Sequence, residues 1–405
     1  MIPWRDLDAG PGDLVAVAVT PGAEWLPIVR HLWSAGAAIL PLDDRLGVGE
    51  AGAILGRARP TWLLDPAGAR ALPNGRRVDE GIGVCISTSG TGGAPKLVEL
   101  SRAALEFAVH ASIGLLGGEA DDPWLCCLPV AHIGGLLVVL RGAILGAPVK
   151  IVPRFDPAAF GATARRPFTA MVPTMLHRLL GAGFDLTRFR AILVGGAAAS
   201  ETDIERARSG GRLVTTYGLT ETCGGFVYEG MPFEGTSVRF GPDAEIQVAG
   251  PHVMERYRSD AHATDRAFTV DGWLRTGDAG ERDEQGTFRV CGRLDEAILS
   301  GGEKIWPQEV EAVLRNHPQV ADVAVAGQPD EEWGALVVAY VVPRPGFVPP
   351  GVRELRDFAS ERIARFKAPR DVVFVESLPR TASGKVRKEA LPMGSTKWKG
   401  PSPGG

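Results

Sequence analysis

The sequence predicts an α/β fold in two parts: a large N-terminal domain of stacked βα units with a smaller β-rich subdomain, then a small α+β C-terminal domain. Three observations predict it. Short apolar runs alternate with helical stretches through the first half, and the texture shifts to short strands and turns from about Val238. A segment mixing strands and helical stretches closes the chain.

In chain order, DLVAVAV, the helical stretch EWLPIVRHLWSAG, AAILPL, a Gly/Ala/Arg-rich helix and TWLLD set the first strand–helix rhythm. Apolar runs of that length predict a buried, mostly parallel sheet. The rhythm resumes with a helix over 101–116, the strand PWLCCL, a helix after His132, the strand PVKIV and further alternation up to AILVGG. Both stretches read as halves of one α/β domain. The β-rich subdomain follows in AEIQVAG, GWLRTGD and GTFRVCG. Beyond it lie the helical stretch PQEVEAVLRNHP, the strands VADVAVAG and ALVVAYVVP, the helix VRELRDFASERIARF and the strand DVVFVES. The predicted organisation is a domain over 1–294, a second over 295–393, and a Gly/Pro/Ser/Lys-rich tail over 394–405 that reads as disordered.

At 405 residues the chain exceeds one compact core. A net charge of -4 and a charged share of 23% give no footprint for nucleic acid. The start lacks a basic leader, and the most apolar run, 133–149, is broken by Gly134, Gly135, Arg141 and Gly142. A cytoplasmic protein without a membrane span is expected. The cysteines Cys85, Cys126, Cys127, Cys223 and Cys291 form no CxxC pair and read as buried reduced thiols.

The chemistry concentrates first in GVCISTSGTGGAPKLVELS, where a buried strand precedes hydroxyls, glycines and Lys96. Glycines let backbone N–H groups approach phosphate oxygens, hydroxyls add donors, and the lysine adds charge. Pro95 before the lysine and Leu97 after it exclude a Walker loop, and Pro95 also breaks GxGxxG.

TSGTGGAPK resembles the phosphate-loop signature of the adenylate-forming superfamily, which includes acyl-CoA synthetases and luciferases. The resemblance continues in order through TTYGLTET, GWLRTGD, GRLDEAILSGGEKIWPQEVE and LPRTASGKVRK. It implies that Thr88, Ser89, Gly90, Thr91, Gly92, Gly93 and Lys96 hold the ATP phosphates. It further implies that Gly195, Gly196 and Ala197 line adenine, that Thr216, Tyr217 and Gly218 line the nucleotide with Tyr217 stacked on the base, and that Asp278 and Arg293 hold the ribose. Glu221 would bind Mg²⁺, Thr220 would donate to the α-phosphate, and Lys385 would neutralise charge as the acid attacks. Asp295 matches the family's hinge, and Gly301 and Gly302 would leave room for the pantetheine of coenzyme A. Gly92 departs from a usual Thr and Leu97 from a usual Gly.

The stretch VTTYGLTETCGGFVYEGMPFEGTSVRF, with LPVAHIGGLLVVLRGAILGAPV and MVPTMLHRLL, resembles the short actinobacterial family of o-succinylbenzoate-CoA ligases of menaquinone biosynthesis. That resemblance implies an acid-CoA ligase (AMP-forming) using ATP, Mg²⁺ and CoA on an aromatic carboxylic acid. The acid pocket would comprise His132, Arg141, Thr222, Gly224 and Gly225, with the two glycines making room for a ring. Arg141 either meets a substrate carboxylate or faces solvent. Other aryl- or acyl-CoA ligases, a stand-alone enzyme loading a carrier protein, and a non-catalytic nucleotide-binding protein on the same fold stay open. The absence of a carrier domain after residue 391 favours free CoA, and the presence of Glu221 and Lys385 favours catalysis. A homodimer is entertained as the assembly.

Overall fold

The computed structural model describes Trp4 and residues 7–88, 95–160, 165–380 and 386–392. Two seven-stranded sheets form the bulk of the N-terminal part. In the first, Leu14–Val17 lies centrally between Ala38–Pro41 and Trp62–Asp65, with parallel pairing to both. All side chains of Leu14–Val17 are buried, as the unbroken apolar run predicts.

The edges of that sheet depart from the parallel expectation. Ile82–Thr88 pairs antiparallel with Lys96–Ser101, which pairs antiparallel with the short strand Arg256–Tyr257. The phosphate-loop motif is therefore flanked by two paired antiparallel strands. Helix Arg102–Leu116 begins only after the second strand, where the Ser101 hydroxyl accepts from Ala104 N at 3.3 Å.

The second sheet runs Met231–Pro232, Gly224–Tyr228, Leu213–Leu219, Ala191–Val194, Phe168–Met171, Trp124–Cys126, Val149–Ile151. Its pairings are parallel from Leu213–Leu219 to Val149–Ile151 and antiparallel at the other edge. One apolar core joins the two sheets through helices Trp25–Ser34, Arg102–Leu116 and Ile133–Leu145. A four-stranded antiparallel sheet, Ser237–Phe240, Glu245–Ala249, Leu274–Arg282 and Phe288–Arg293, follows.

After the turn Leu294–Glu296 comes the hairpin Ile298–Ser300/Glu303–Ile305. Val320–Asp330 and Gly334–Pro343 pair antiparallel, and Asp371–Phe374 joins them in parallel. Helices Pro307–Leu314 and Val352–Ser360 pack on one side of a separate core. The second helix stops short of the predicted stretch; beyond it Lys367 is drawn to Glu309 at 2.7 Å, a tertiary contact that the local pattern does not encode. Four of the cysteines are buried as expected, and Cys291 is only partly so. No helix among the described residues is long and apolar enough to cross a membrane.

Candidate nucleotide site

Hairpin pairing sets Thr88 directly opposite Lys96. Ser89, Gly90, Thr91, Gly92 and Gly93, between them, lie outside the described residues, as does Lys385. Leu97 is fully buried in the core beneath the first sheet, so its departure from glycine serves packing. The Lys96 ammonium sits 4.8 Å from the centroid of the Tyr257 ring.

The strand Leu213–Leu219 carries Thr216 and Tyr217 beside the loop that follows Ala191–Val194. A Cβ on Gly195 would fall 2.3 Å from Thr216 Oγ1, so only glycine lets this loop lie against the strand. Gly196 and Ala197 are exposed next to it. The Tyr217 ring packs against Phe226 and Phe288, with centroids 5.5 and 5.6 Å away, and its hydroxyl donates to Asp278 Oδ2 at 2.7 Å. At Gly218 the register shifts, and a Cβ would lie 1.9 Å from the carbonyl oxygen of Gly224. This close approach folds the chain back into the turn Thr220–Thr222, which presents Thr220 and Glu221. Glu221 Oε1 accepts from the Tyr257 hydroxyl at 2.7 Å.

Asp278 and Arg293 are cross-strand partners, with Nη1 donating to Oδ1 at 3.2 Å. Burial pushes the Asp278 carboxyl above its ordinary range, against the opposing pull of Arg293 and Tyr217. Arg293 also reaches Asp295 at 3.2 Å, so the expected hinge residue is exposed yet tied to the Asp278–Arg293 pair. Gly301 and Gly302 form the exposed tip of the small hairpin, and Lys304 beside them pairs with Asp243 at 2.5 Å.

A cavity of about 260 Å³ opens among Lys96, Glu221, Tyr257, Thr276, Arg266 and Arg293. It gathers side chains from the phosphate hairpin, the Glu221 turn and the Asp278–Arg293 sheet. Tyr257, Thr276 and Arg266 were not among the predicted residues. The only hint of Tyr257 in the sequence is an aromatic between arginines in ERYRS, which reads equally well as a surface segment.

The expected acid-pocket residues fare differently. His132 is the N-cap of helix Ile133–Leu145, with Nε2 3.9 Å from Asp43 Oδ2. Its side chain is 46% exposed, and partial desolvation lowers its pKa from the ordinary value while Asp43 pulls the other way. Thr222 is fully buried, and its hydroxyl is consumed within the turn by Leu219 N at 2.8 Å and Gly224 O at 2.9 Å; it does not line an open pocket. Both glycines are closely packed on the side where a Cβ would stand. A Cβ on Gly224 would meet Leu137 at 2.8 Å, and one on Gly225 would meet Thr216 and Tyr228 at 3.2 Å, so protein atoms fill both spaces. Arg141 is 3% exposed, which rules out the solvent-facing alternative. Its guanidinium donates to Ser112 Oγ at 2.8 Å, hydrogen-bonds Tyr228 and lies 4.0 Å from the Trp124 ring centroid.

For Mg²⁺, the described residues hold no cluster of three or more His, Cys, Asp or Glu. Glu245 also lines the cavity but is paired with Arg275 at 2.9 Å, and Glu221, with one oxygen held by Tyr257, suits an ion that keeps water and takes most of its remaining ligands from phosphates.

Residues 82–258 match the family described as AMP-binding enzyme, and residues 309–385 match the AMP-binding enzyme C-terminal domain. A 2-succinylbenzoate-CoA ligase, described as probable, of Mycobacterium tuberculosis is 35% identical over 372 residues, covering 88% of this chain and 95% of that protein. The chain belongs to the AMP-binding enzyme family. This AMP-binding enzyme is also 40% identical over 333 residues to the indoleacetate-CoA ligase of Aromatoleum aromaticum, a match covering 75% of the chain and 65% of that ligase's length. Among solved structures, it is similar to the o-succinylbenzoate CoA synthetase of Bacillus subtilis in complex with the acyl-adenylate intermediate. That likeness has a TM-score of 0.83 and 28% identity, covering 94% of this chain and 88% of the other. The adenylate-forming fold expected from the motifs is thereby established.

Proposed function

We propose that this enzyme is an AMP-forming acid-CoA ligase. A carboxylate oxygen attacks the α-phosphorus of ATP and pyrophosphate leaves; the thiol of CoA then attacks the acyl carbon of the acyl-adenylate, forming the thioester and releasing AMP. The observation that carries this reading is the convergence of Lys96, Glu221 and Arg293 on one cavity, with Tyr217 and Asp278 joined behind it. Lys96 and Thr220 hold phosphate oxygens, Tyr217 with Gly195, Gly196 and Ala197 faces the base, and Asp278 accepts from the ribose hydroxyls. Glu221 would hold Mg²⁺, which supplies charge neutralisation on the phosphates when bound. Lys385 adds positive charge at the reacting centre, His132 positions the acid, Asp295 serves as hinge, and Gly301 and Gly302 admit the pantetheine arm.

The acid is o-succinylbenzoate, giving o-succinylbenzoyl-CoA for menaquinone biosynthesis. The similar 2-succinylbenzoate-CoA ligases support this. Cytoplasmic location and a homodimer complete the proposal. A second reading, an arylacetate with one carboxylate, follows from the likeness to the indoleacetate-CoA ligase.

Mass spectrometry of CoA products from purified protein, ATP, Mg²⁺, CoA and a panel of acids tests both. The expected product is o-succinylbenzoyl-CoA. Indoleacetyl-CoA as the dominant product transfers the assignment to the second reading, and neither thioester nor pyrophosphate exchange with any acid refutes ligation.

A further inference from the structure

We propose that Tyr257 is a positioning residue that fixes the metal-side carboxylate Glu221 and the phosphate-side Lys96 relative to each other. The proposal rests on the adenylating reading and adds to it a residue that none of the predicted motifs contains.

Tyr257 touches both groups. Its hydroxyl donates to Glu221 Oε1 at 2.7 Å, leaving Oε2 for a cation, while its ring lies 4.8 Å from the Lys96 ammonium. The backbone repeats the link. Met254 N donates to Glu221 O at 2.8 Å, and Arg258 N donates to Leu97 O at 2.7 Å. Tyr257 itself pairs with Val98 on the strand leaving the phosphate hairpin. The two-residue strand Arg256–Tyr257 thus fastens the Glu221 turn to that hairpin at both ends, and all three side chains line the same cavity. A carboxylate held by a buried phenol presents one oxygen in one direction, which reduces the freedom lost when a cation binds. An ammonium resting on the ring is likewise kept from folding onto Glu221.

The substitutions separate these effects. Tyr257→Phe removes the hydroxyl and keeps the ring; Tyr257→Leu removes both. Tyr257→Phe should raise the Mg²⁺ concentration giving half-maximal ATP-dependent pyrophosphate exchange roughly tenfold, the scale of a hydrogen bond to a charged group, and leave Mg²⁺-free ATP affinity unchanged by calorimetry. Tyr257→Leu should add a loss of about threefold in that Mg²⁺-free affinity, the scale of an exposed cation–π contact. Thr264→Val is the control: Thr264 Oγ1 accepts from Tyr257 N at 3.0 Å without touching Glu221. It should lower the melting temperature without moving the Mg²⁺ requirement. A Mg²⁺ requirement unchanged in a folded Tyr257→Phe protein, in the presence of normal wild-type exchange, overturns the positioning role alone. Equal shifts in Tyr257→Phe and Thr264→Val also overturn it, because the effect would then be structural. Absence of exchange in the wild type would overturn the adenylating reading and this role with it.

Discussion

Tyr217 donates its phenolic hydrogen to Asp278 Oδ2 at 2.7 Å, while Arg293 donates to Oδ1 at 3.2 Å. The aromatic proposed to face adenine and the acid proposed to hold ribose are therefore one unit, although they lie in different sheets. Tyr217→Phe keeps the ring and removes a donor from a carboxylate already lifted by burial. The KM for ATP should rise roughly tenfold with little change in kcat, because the contact acts on ground-state binding. Steady-state kinetics with ATP varied checks this; an unchanged KM separates the two residues functionally.

Glu99 and Arg258 form an ion pair at 2.7 Å with both side chains 3% exposed, and Arg256 reaches the other Glu99 oxygen at 2.8 Å. Arg258→Met leaves Glu99 with only its half-exposed partner. Urea unfolding should show a loss of about 3–5 kcal/mol, the range for breaking a buried pair from one side. Adding Glu99→Gln should recover part of it.

His252 is fully buried among Phe107, Phe226 and Phe233, and that burial lowers its pKa from 6.5 to about 4. In the unfolded chain the ring gains its proton near the ordinary value, so the unfolded state binds more protons between the two. Stability is then lost as pH falls from 6.5 towards about 4, by at most roughly 3 kcal/mol from this group. His252→Gln should flatten that part of the stability profile measured by urea titration, relative to the wild type.

Lys385→Ala should nearly abolish adenylation, followed by pyrophosphate exchange, yet spare thioester formation from supplied acyl-adenylate. On the proposed reading the lysine serves the first half-reaction, and rotation about Asp295 would then bring Gly301 and Gly302 to the site. Equal loss in both steps refutes that division of labour.

The fold class was legible because its evidence is local. Runs such as Leu14–Val17 and Ala191–Val194 announce buried strands by composition, and the motif order from the phosphate hairpin to GRLDE carries the family without any geometry. Side-chain surroundings were not legible. Thr222 and Gly224 look like pocket residues in a polar, glycine-rich string; the turn needs the hydroxyl of one and the bare backbone of the other. Arg141 interrupts an apolar helix, a pattern shared by solvent-facing and buried arginines until Ser112 and Trp124 are seen around it.

By itself, then, the sequence determined the α/β class, the family and its adenylating chemistry, all of which reside in short contiguous strings. Only the tertiary structure decided that Tyr257 stands between Lys96 and Glu221 and that Tyr217 meets Asp278. Those meetings depend on strand register and sheet packing between segments far apart in the chain, and a one-residue shift in register would turn each side chain to the opposite face.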